Sequence, residues 1–174
     1  KDLYRFVDNN PGVEVHGIDF CANPNNIALN DNFMAINAIV ECDLSGQSLC
    51  DSVGIAPYSG MGGQQDFVQG AWQSKGGKAF LCQYSTFTDN KGAEHSKISP
   101  VVNGWVAINR WDVQYLVTEY GCVYLKGCGM SERVKKVVSI AHPDFREWLV
   151  SEAKRLNIID SNSDVNIKKM RQEI

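Results

Sequence analysis

Tyr58 to Lys78 reads YSGMGGQQDFVQGAWQSKGGK: a glycine turn, an amphipathic stretch and a second glycine turn closing on lysine. Phe67, Ala71 and Trp72 recur at helical spacing within Asp66 to Gln73, and Ala79 to Tyr84 then forms an apolar run with the length of a buried strand. A helix leading directly into a buried strand points to an α/β domain. Gly60, Gly62 and Gly63 allow backbone angles that side chains forbid. Several N–H groups can therefore converge on one oxygen ahead of the helix, whose N-terminus favours negative charge. Such convergence stabilises an oxyanion. Gly76 and Gly77, between Lys75 and Lys78, stand where the strand begins, and lysine there meets a phosphate as a point charge. Glycine turns are also ordinary connectors between helix and strand, and this stretch alone does not separate the two readings.

Working outward, residues 1–12, KDLYRFVDNNPG, read as the last turns of a helix: Leu3, Phe6 and Val7 share a face, and Asn9-Asn10-Pro11-Gly12 ends it. A chain opening on Lys1 within such a helix is expected to begin mid-domain. Val13 to Phe20 alternates like a strand, while Phe33 to Val40 suits a strand buried on both faces. Between them, NPNNIALNDN predicts a short helix flanked by turns, with asparagine side chains bonding nearby backbone. Ser48 to Gly54 adds a short strand. Downstream, Ser85 to His95 is polar with one glycine, Ile98 to Val102 and Trp105 to Ile108 are short strands separated by a surface loop, and Val113 to Val117 and Cys122 to Leu125 are further short strands. Met130 to Ala141 is helical with Ser131 as N-cap, and Pro143 opens a last helix with Phe145, Trp148, Leu149 and Leu156 on one face. The fold expected is α/β, an open, mostly parallel or mixed sheet flanked by helices. It forms one domain over residues 1–159, with 160–174 a loosely packed tail.

At 174 residues and 44% hydrophobic content the chain can bury a substantial single core. A net charge of −3 argues against a nucleic-acid partner, and no apolar run approaches the length of a membrane span. The six cysteines form no C-x-x-C pair and read as small buried hydrophobes of a reducing compartment, cytoplasmic or, in a eukaryote, the mitochondrial matrix. No His, Cys, Asp and Glu cluster has zinc spacing, so no metal is expected.

SGMGGQQDFVQGA, SKGGK, LVTEYG and SIAHPDFR, in that order and spacing, resemble the C-terminal domain of the acetyl-CoA hydrolase/transferase family, especially its members acting on 4-hydroxybutyrate. NNPGVEV, ALNDN and ECDLSGQ extend the resemblance from Leu3 to about Leu156. It implies part of a class I CoA-transferase-like fold. It also implies a mechanism in which an active-site glutamate attacks an acyl-CoA and passes through an acyl anhydride to a glutamyl-CoA thioester, whose CoA a second carboxylic acid then takes. That glutamate belongs to a segment upstream of the one matched. The chain would then contribute Gly62 and Gly63 as oxyanion backbone donors, with Met61, Gln64, Lys75 and Gly76 in the CoA site. A missing N-terminal segment of the same enzyme would supply the rest, and the chain alone would be inactive. Acetyl-CoA or butyryl-CoA and a short acid such as acetate or 4-hydroxybutyrate are the implied substrates, with coenzyme A passing through rather than permanently bound. A homo-oligomer is plausible.

Glu119 is the in-chain rival nucleophile, a carboxylate at a strand end beside tyrosine and glycine; a satisfied structural glutamate explains it as well. His142, before a proline, reads as an N-cap. The chain departs from the family pattern at Gln65 and Gln69, in place of an apolar residue and an arginine, and at Lys97, in place of an arginine. Three functions remain open at this level: a CoA-transferase domain, an acyl-CoA hydrolase, and a noncatalytic acyl-CoA-binding domain.

Overall fold

The computed structural model describes residues 1–165. Its first third carries α1 (Asp2–Val7), α2 (Ile18–Cys21), α3 (Pro24–Ala28), β1 (Met34–Ala38) and β2 (Glu41–Asp43). Short strands β3 (Ser48–Leu49), β4 (Ser52–Val53) and β5 (Ala56–Pro57) lead to α4 (Gln64–Gln73) and β6 (Lys78–Cys82). There follow β7 (Thr86–Thr88), β8 (Glu94–Ser96), β9 (Ile98–Ser99), β10 (Tyr115–Thr118), β11 (Gly121–Tyr124), α5 (Met130–Ser139) and α6 (Pro143–Arg155).

The architecture is mixed α/β with an open sheet flanked by helices. The main sheet has the order β1-β6-β10-β11; β1, β6 and β10 run parallel, and β11 returns antiparallel to β10. A small sheet, β3-β2-β9, and the hairpins β4-β5 and β7-β8 stand beside it. Because side chains alternate across a strand, Ala35, Ala79, Leu81 and Leu116 point together into the core, where they meet Val68 and Ala71 of α4 and Val134, Val137 and Val138 of α5. Gly70 lets α4 lie directly on α3: a Cβ there would fall 2.5 Å from Ile27. Asn23 caps α3 by accepting from the Asn25 amide at 2.9 Å, so the asparagine-rich segment is helical as expected.

Several expectations are corrected. Val13 to Phe20 is not a strand: it runs irregularly to Gly17 and then turns into α2, with Val15, Ile18 and Phe20 exposed and no neighbouring strand among the described residues to satisfy its backbone. Phe33 to Val40 does contain a strand, but β1 is a sheet edge with Met34 and Ile36 exposed, not buried on both faces. Trp105 to Ile108 forms no strand and meets β3 through the isolated Ser48–Ile108 bridge and the bond from the Ala107 amide to the Ser48 carbonyl. The polar stretch Ser85 to His95 holds a hairpin not expected from its composition: β7 pairs with β8 across a turn in which Asp89 accepts from the Lys91 and Ala93 amides and Gly92 takes φ +84°. Gly129, not Ser131, caps α5. On α6 the buried stripe is Arg146, Leu149 and Ala153, with Trp148 turned outward. Burial as small hydrophobes holds for Cys42, whereas Cys21 and Cys122 are exposed. Within the expected tail Val165 packs on the core; residues 166–174 lie outside the described residues.

Candidate active site

The glycine loop is held from behind by its own upstream hairpin. After β5 the amides of Tyr58 and Ser59 both donate to the Asp51 carbonyl, at 2.7 and 3.1 Å, which turns Ser59 to Gly62 back over Cys50 and Asp51. Gly63 then caps α4 with φ −78°. Gly60, Gly62 and Gly63 do not take left-handed angles, so torsional freedom is not what glycine supplies here. A Cβ on Gly60 or Gly62 would meet nothing within 4 Å, and what the missing side chains leave is open approach to the backbone. Beneath the loop lies a cavity of about 440 Å³ walled by Cys50, Asp51, Met61, Gln64, Gln65, Trp105 and Ile108. The first amides of a helix have no carbonyl partner within it, so α4 presents donors and the positive end of its dipole at this cavity.

Polar side chains line the cavity without being spent on one another. Asp51 Oδ1 and Gln65 Oε1 are buried and accept no hydrogen bond among the described residues. Gln64 lies against Cys50, whose thiol is pushed up to about 11 by burial and the Asp51 carboxylate, with the Gln64 amide opposing. Cys50 is therefore a neutral thiol at physiological pH and a poor nucleophile. The two glutamines that depart from the family pattern share one partner: Gln65 and Gln69 both donate to Oδ2 of the buried Asp112, which also accepts from Asn109 at 2.9 Å. Asp112 thus joins α4 to the loop that follows the Trp105–Ile108 wall.

The other anticipated residues lie elsewhere. Lys75 and Gly76 stand beyond the C-terminal end of α4, a helix of 10 residues and so about 15 Å long, while the glycine loop is at its N-terminus. Gly76 takes φ +75°, where a Cβ would strike Asn32 Oδ1, and a Cβ on Gly77 would strike the Ala71 carbonyl, so this pair is required by the turn itself. Lys75 is exposed, its Nζ 3.8 Å from Asp31. Glu119 lies at the carboxyl end of β10, where its carboxylate accepts from the Ser85 amide at 2.8 Å and the Ser85 hydroxyl at 2.5 Å. Burial pushes this carboxyl up, but the Ser85 hydroxyl and backbone N–H bonds outweigh it and hold it below its ordinary value. His142 accepts from the Asp144 amide and caps α6, as read from the sequence. Lys97 borders a second hollow of about 420 Å³ with Gln83, Val117 and Glu119. Sequence reasoning missed Asp51, Trp105 and Asp112. Trp105, a lone aromatic inside an apolar run, offered a faint signal, while the two aspartates offered none.

No helix among the described residues is long and apolar enough to cross a membrane. The described residues thus form an open α/β sheet domain with a glycine loop feeding a helix N-terminus over a cavity of mixed polar and apolar lining. Residues 1–153 match the model of the acetyl-CoA hydrolase/transferase C-terminal domain, and the chain belongs to that family. It is 45% identical over 157 residues to a 4-hydroxybutyrate coenzyme A transferase of Clostridium kluyveri, covering 89% of this chain and 36% of that protein. It is 42% identical over 160 residues to a probable butyrate:acetyl-CoA coenzyme A-transferase of Syntrophomonas wolfei, covering 91% and 36%. The crystal structure of RipA from Yersinia pestis superposes with a TM-score of 0.82 at 39% identity, covering 91% of this chain and 35% of that one. The chain therefore spans about a third of the length of these relatives.

Proposed function

We propose that this chain is the C-terminal domain of a CoA-transferase that moves CoA between an acyl-CoA and a short carboxylic acid. The observation that carries the reading is the glycine loop at the α4 N-terminus, open to solvent on its ligand side and set over a cavity of about 440 Å³. The relatives' names, butyrate:acetyl-CoA and 4-hydroxybutyrate CoA-transferases, support the substrate class.

In this reading a glutamate carboxylate from the upstream part of the longer polypeptide attacks the thioester carbonyl. The Gly62 and Gly63 amides receive the negative oxygen as CoA thiolate leaves and an anhydride forms. The thiolate then attacks the glutamyl carbonyl, releasing the first acid and leaving a glutamyl-CoA thioester that the second acid reverses. Met61 and Gln64 border the thioester, and Lys75 meets a CoA phosphate if the cofactor runs the length of α4. Cys50, a neutral thiol, is a bystander.

The test is transfer from acetyl-CoA to a panel of short acids by the full-length polypeptide, with products resolved chromatographically. New acyl-CoA that requires the acceptor acid, and a CoA adduct on a glutamate outside this chain, are the expected results. Free CoA formed equally without acceptor would make the protein a hydrolase; a CoA adduct on Glu119 would relocate the nucleophile.

A further inference from the structure

Arg110, Lys126 and Arg133 come together where β11 turns into α5, and none of them is ion-paired among the described residues. Arg110, Trp111, Cys128, Met130 and Arg133 enclose a pocket of about 170 Å³ at this turn, sharing no residue with the glycine-loop cavity. Arg133 is only 7% exposed. Its Nε donates to the Cys128 carbonyl at 3.2 Å and its Nη1 to the Ser45 carbonyl at 2.7 Å, while Nη2 has no acceptor among the described residues. Burial holds this guanidinium below its ordinary value; the Cys128 thiol and the Asp43 carboxylate oppose the shift, and the Arg110 charge adds to it. Lys126 is held down in the same way, by burial and by Arg133, with Asp112 opposing. The carboxylates in reach are already engaged: Asp43 accepts from Ser45 and Gln47, Asp112 from Gln65, Gln69 and Asn109, and Glu132 pairs with Lys136 at 2.8 Å. A buried charge without an opposite one beside it is costly unless an anion arrives from outside.

The backbone points the same way. Gly129 caps the 10-residue α5 with no side chain bonded at the cap, and the amides of Met130, Ser131 and Glu132 have no acceptor among the described residues. A Cβ on Gly127 or Gly129 would meet nothing within 4 Å, so the approach to these amides is open. Trp111, 76% exposed, walls the pocket beside Arg110.

We propose that this pocket binds a phosphoryl group, whose oxygens are taken by the Arg110 and Arg133 guanidiniums and the first amides of α5. Guanidinium forks and convergent amides suit the oxygens of a tetrahedral dianion better than the two coplanar oxygens of a carboxylate. The exposed Trp111 ring gives an attached base a surface to stack on. Free phosphate and the phosphates of CoA bring the same chemistry to the pocket. The inference stands apart from the transferase reading, because it invokes neither the glycine loop nor turnover.

Calorimetric titration of the full-length protein at fixed ionic strength tests it, with inorganic phosphate, CoA and dephospho-CoA as probes and chloride as the background anion. Arg110→Gln is the comparison, since Arg110 is exposed and makes no side-chain hydrogen bond among the described residues, whereas Arg133 ties Cys128 to Ser45. If the pocket takes free phosphate, phosphate binds the parent and binds Arg110→Gln about tenfold or more weakly. If it takes the 3′-phosphate of CoA, CoA outbinds dephospho-CoA by about tenfold in the parent, and the gap closes in the variant. Equal weakening of both nucleotides assigns the diphosphate instead. Each of these results supports the pocket and names its source. A variant that binds all three probes as the parent does overturns the proposal, and so does a parent that binds none of them. No turnover is read, so the outcome is the same for a transferase and for a hydrolase.

Discussion

Gln65 and Asp112, 47 residues apart in sequence, are joined by a side-chain hydrogen bond that ties the first turn of α4 to the loop before β10. Gln69 and Asn109 donate to the same carboxylate oxygen. Replacing Asp112 by alanine removes the shared acceptor of three partly buried hydrogen bonds, so Asp112→Ala is expected to cost about 1–3 kcal/mol, read by denaturant unfolding. Asp112→Asn, which keeps an acceptor, should recover part of that loss. Equal stability of the alanine variant and the parent would show that the amides find other partners.

Gly62 separates fold from chemistry. A Cβ there meets nothing within 4 Å, so Gly62→Ala is expected to leave thermal unfolding unchanged. In the full-length enzyme the added methyl occupies the approach to the loop amides, and kcat/KM should fall on the order of a hundredfold. Unaltered turnover would remove the loop from the oxyanion role.

Glu119 carries a pH signature. Its folded carboxyl lies below the ordinary 4.5, because the Ser85 bonds outweigh burial. A carboxyl depressed on folding adds stability that is present above its unfolded value and lost as pH falls through the folded one. Stability should therefore decline below about pH 4.5 in the parent and decline less steeply in Glu119→Gln. Urea midpoints across pH 3 to 6 read the difference. Loss of all transfer activity in a folded Glu119→Gln enzyme would instead make this residue part of the chemistry.

Lys75 decides how CoA lies. Its ion pair with Asp31 is exposed, so Lys75→Ala should change stability by less than about 1 kcal/mol. If a phosphate reaches it along α4, CoA binding weakens by about three- to tenfold and becomes less salt-dependent. Affinity and salt dependence both equal to the parent's would place the phosphates elsewhere.

What could be read from the sequence was whatever neighbouring residues settle among themselves. Helical spacing in Asp66 to Gln73, the Asn23 cap before Pro24, the His142-Pro143 start of α6 and the glycine loop ahead of α4 all came through, as did the family and the open mixed sheet. Each depends on 3.6-residue periodicity, capping or a run of motifs, which act within a few residues.

Tertiary structure decided the rest, because burial and pairing depend on what lies opposite. Alternation in Val13 to Phe20 made no strand for want of a neighbour, and the apolar run at Met34 became an edge. The partners of Gln65 and Glu119, Asp112 and Ser85, are 47 and 34 residues away, beyond the reach of any local pattern. Local propensity therefore determined the elements, and long-range packing determined which of their side chains face the cavity and which face one another.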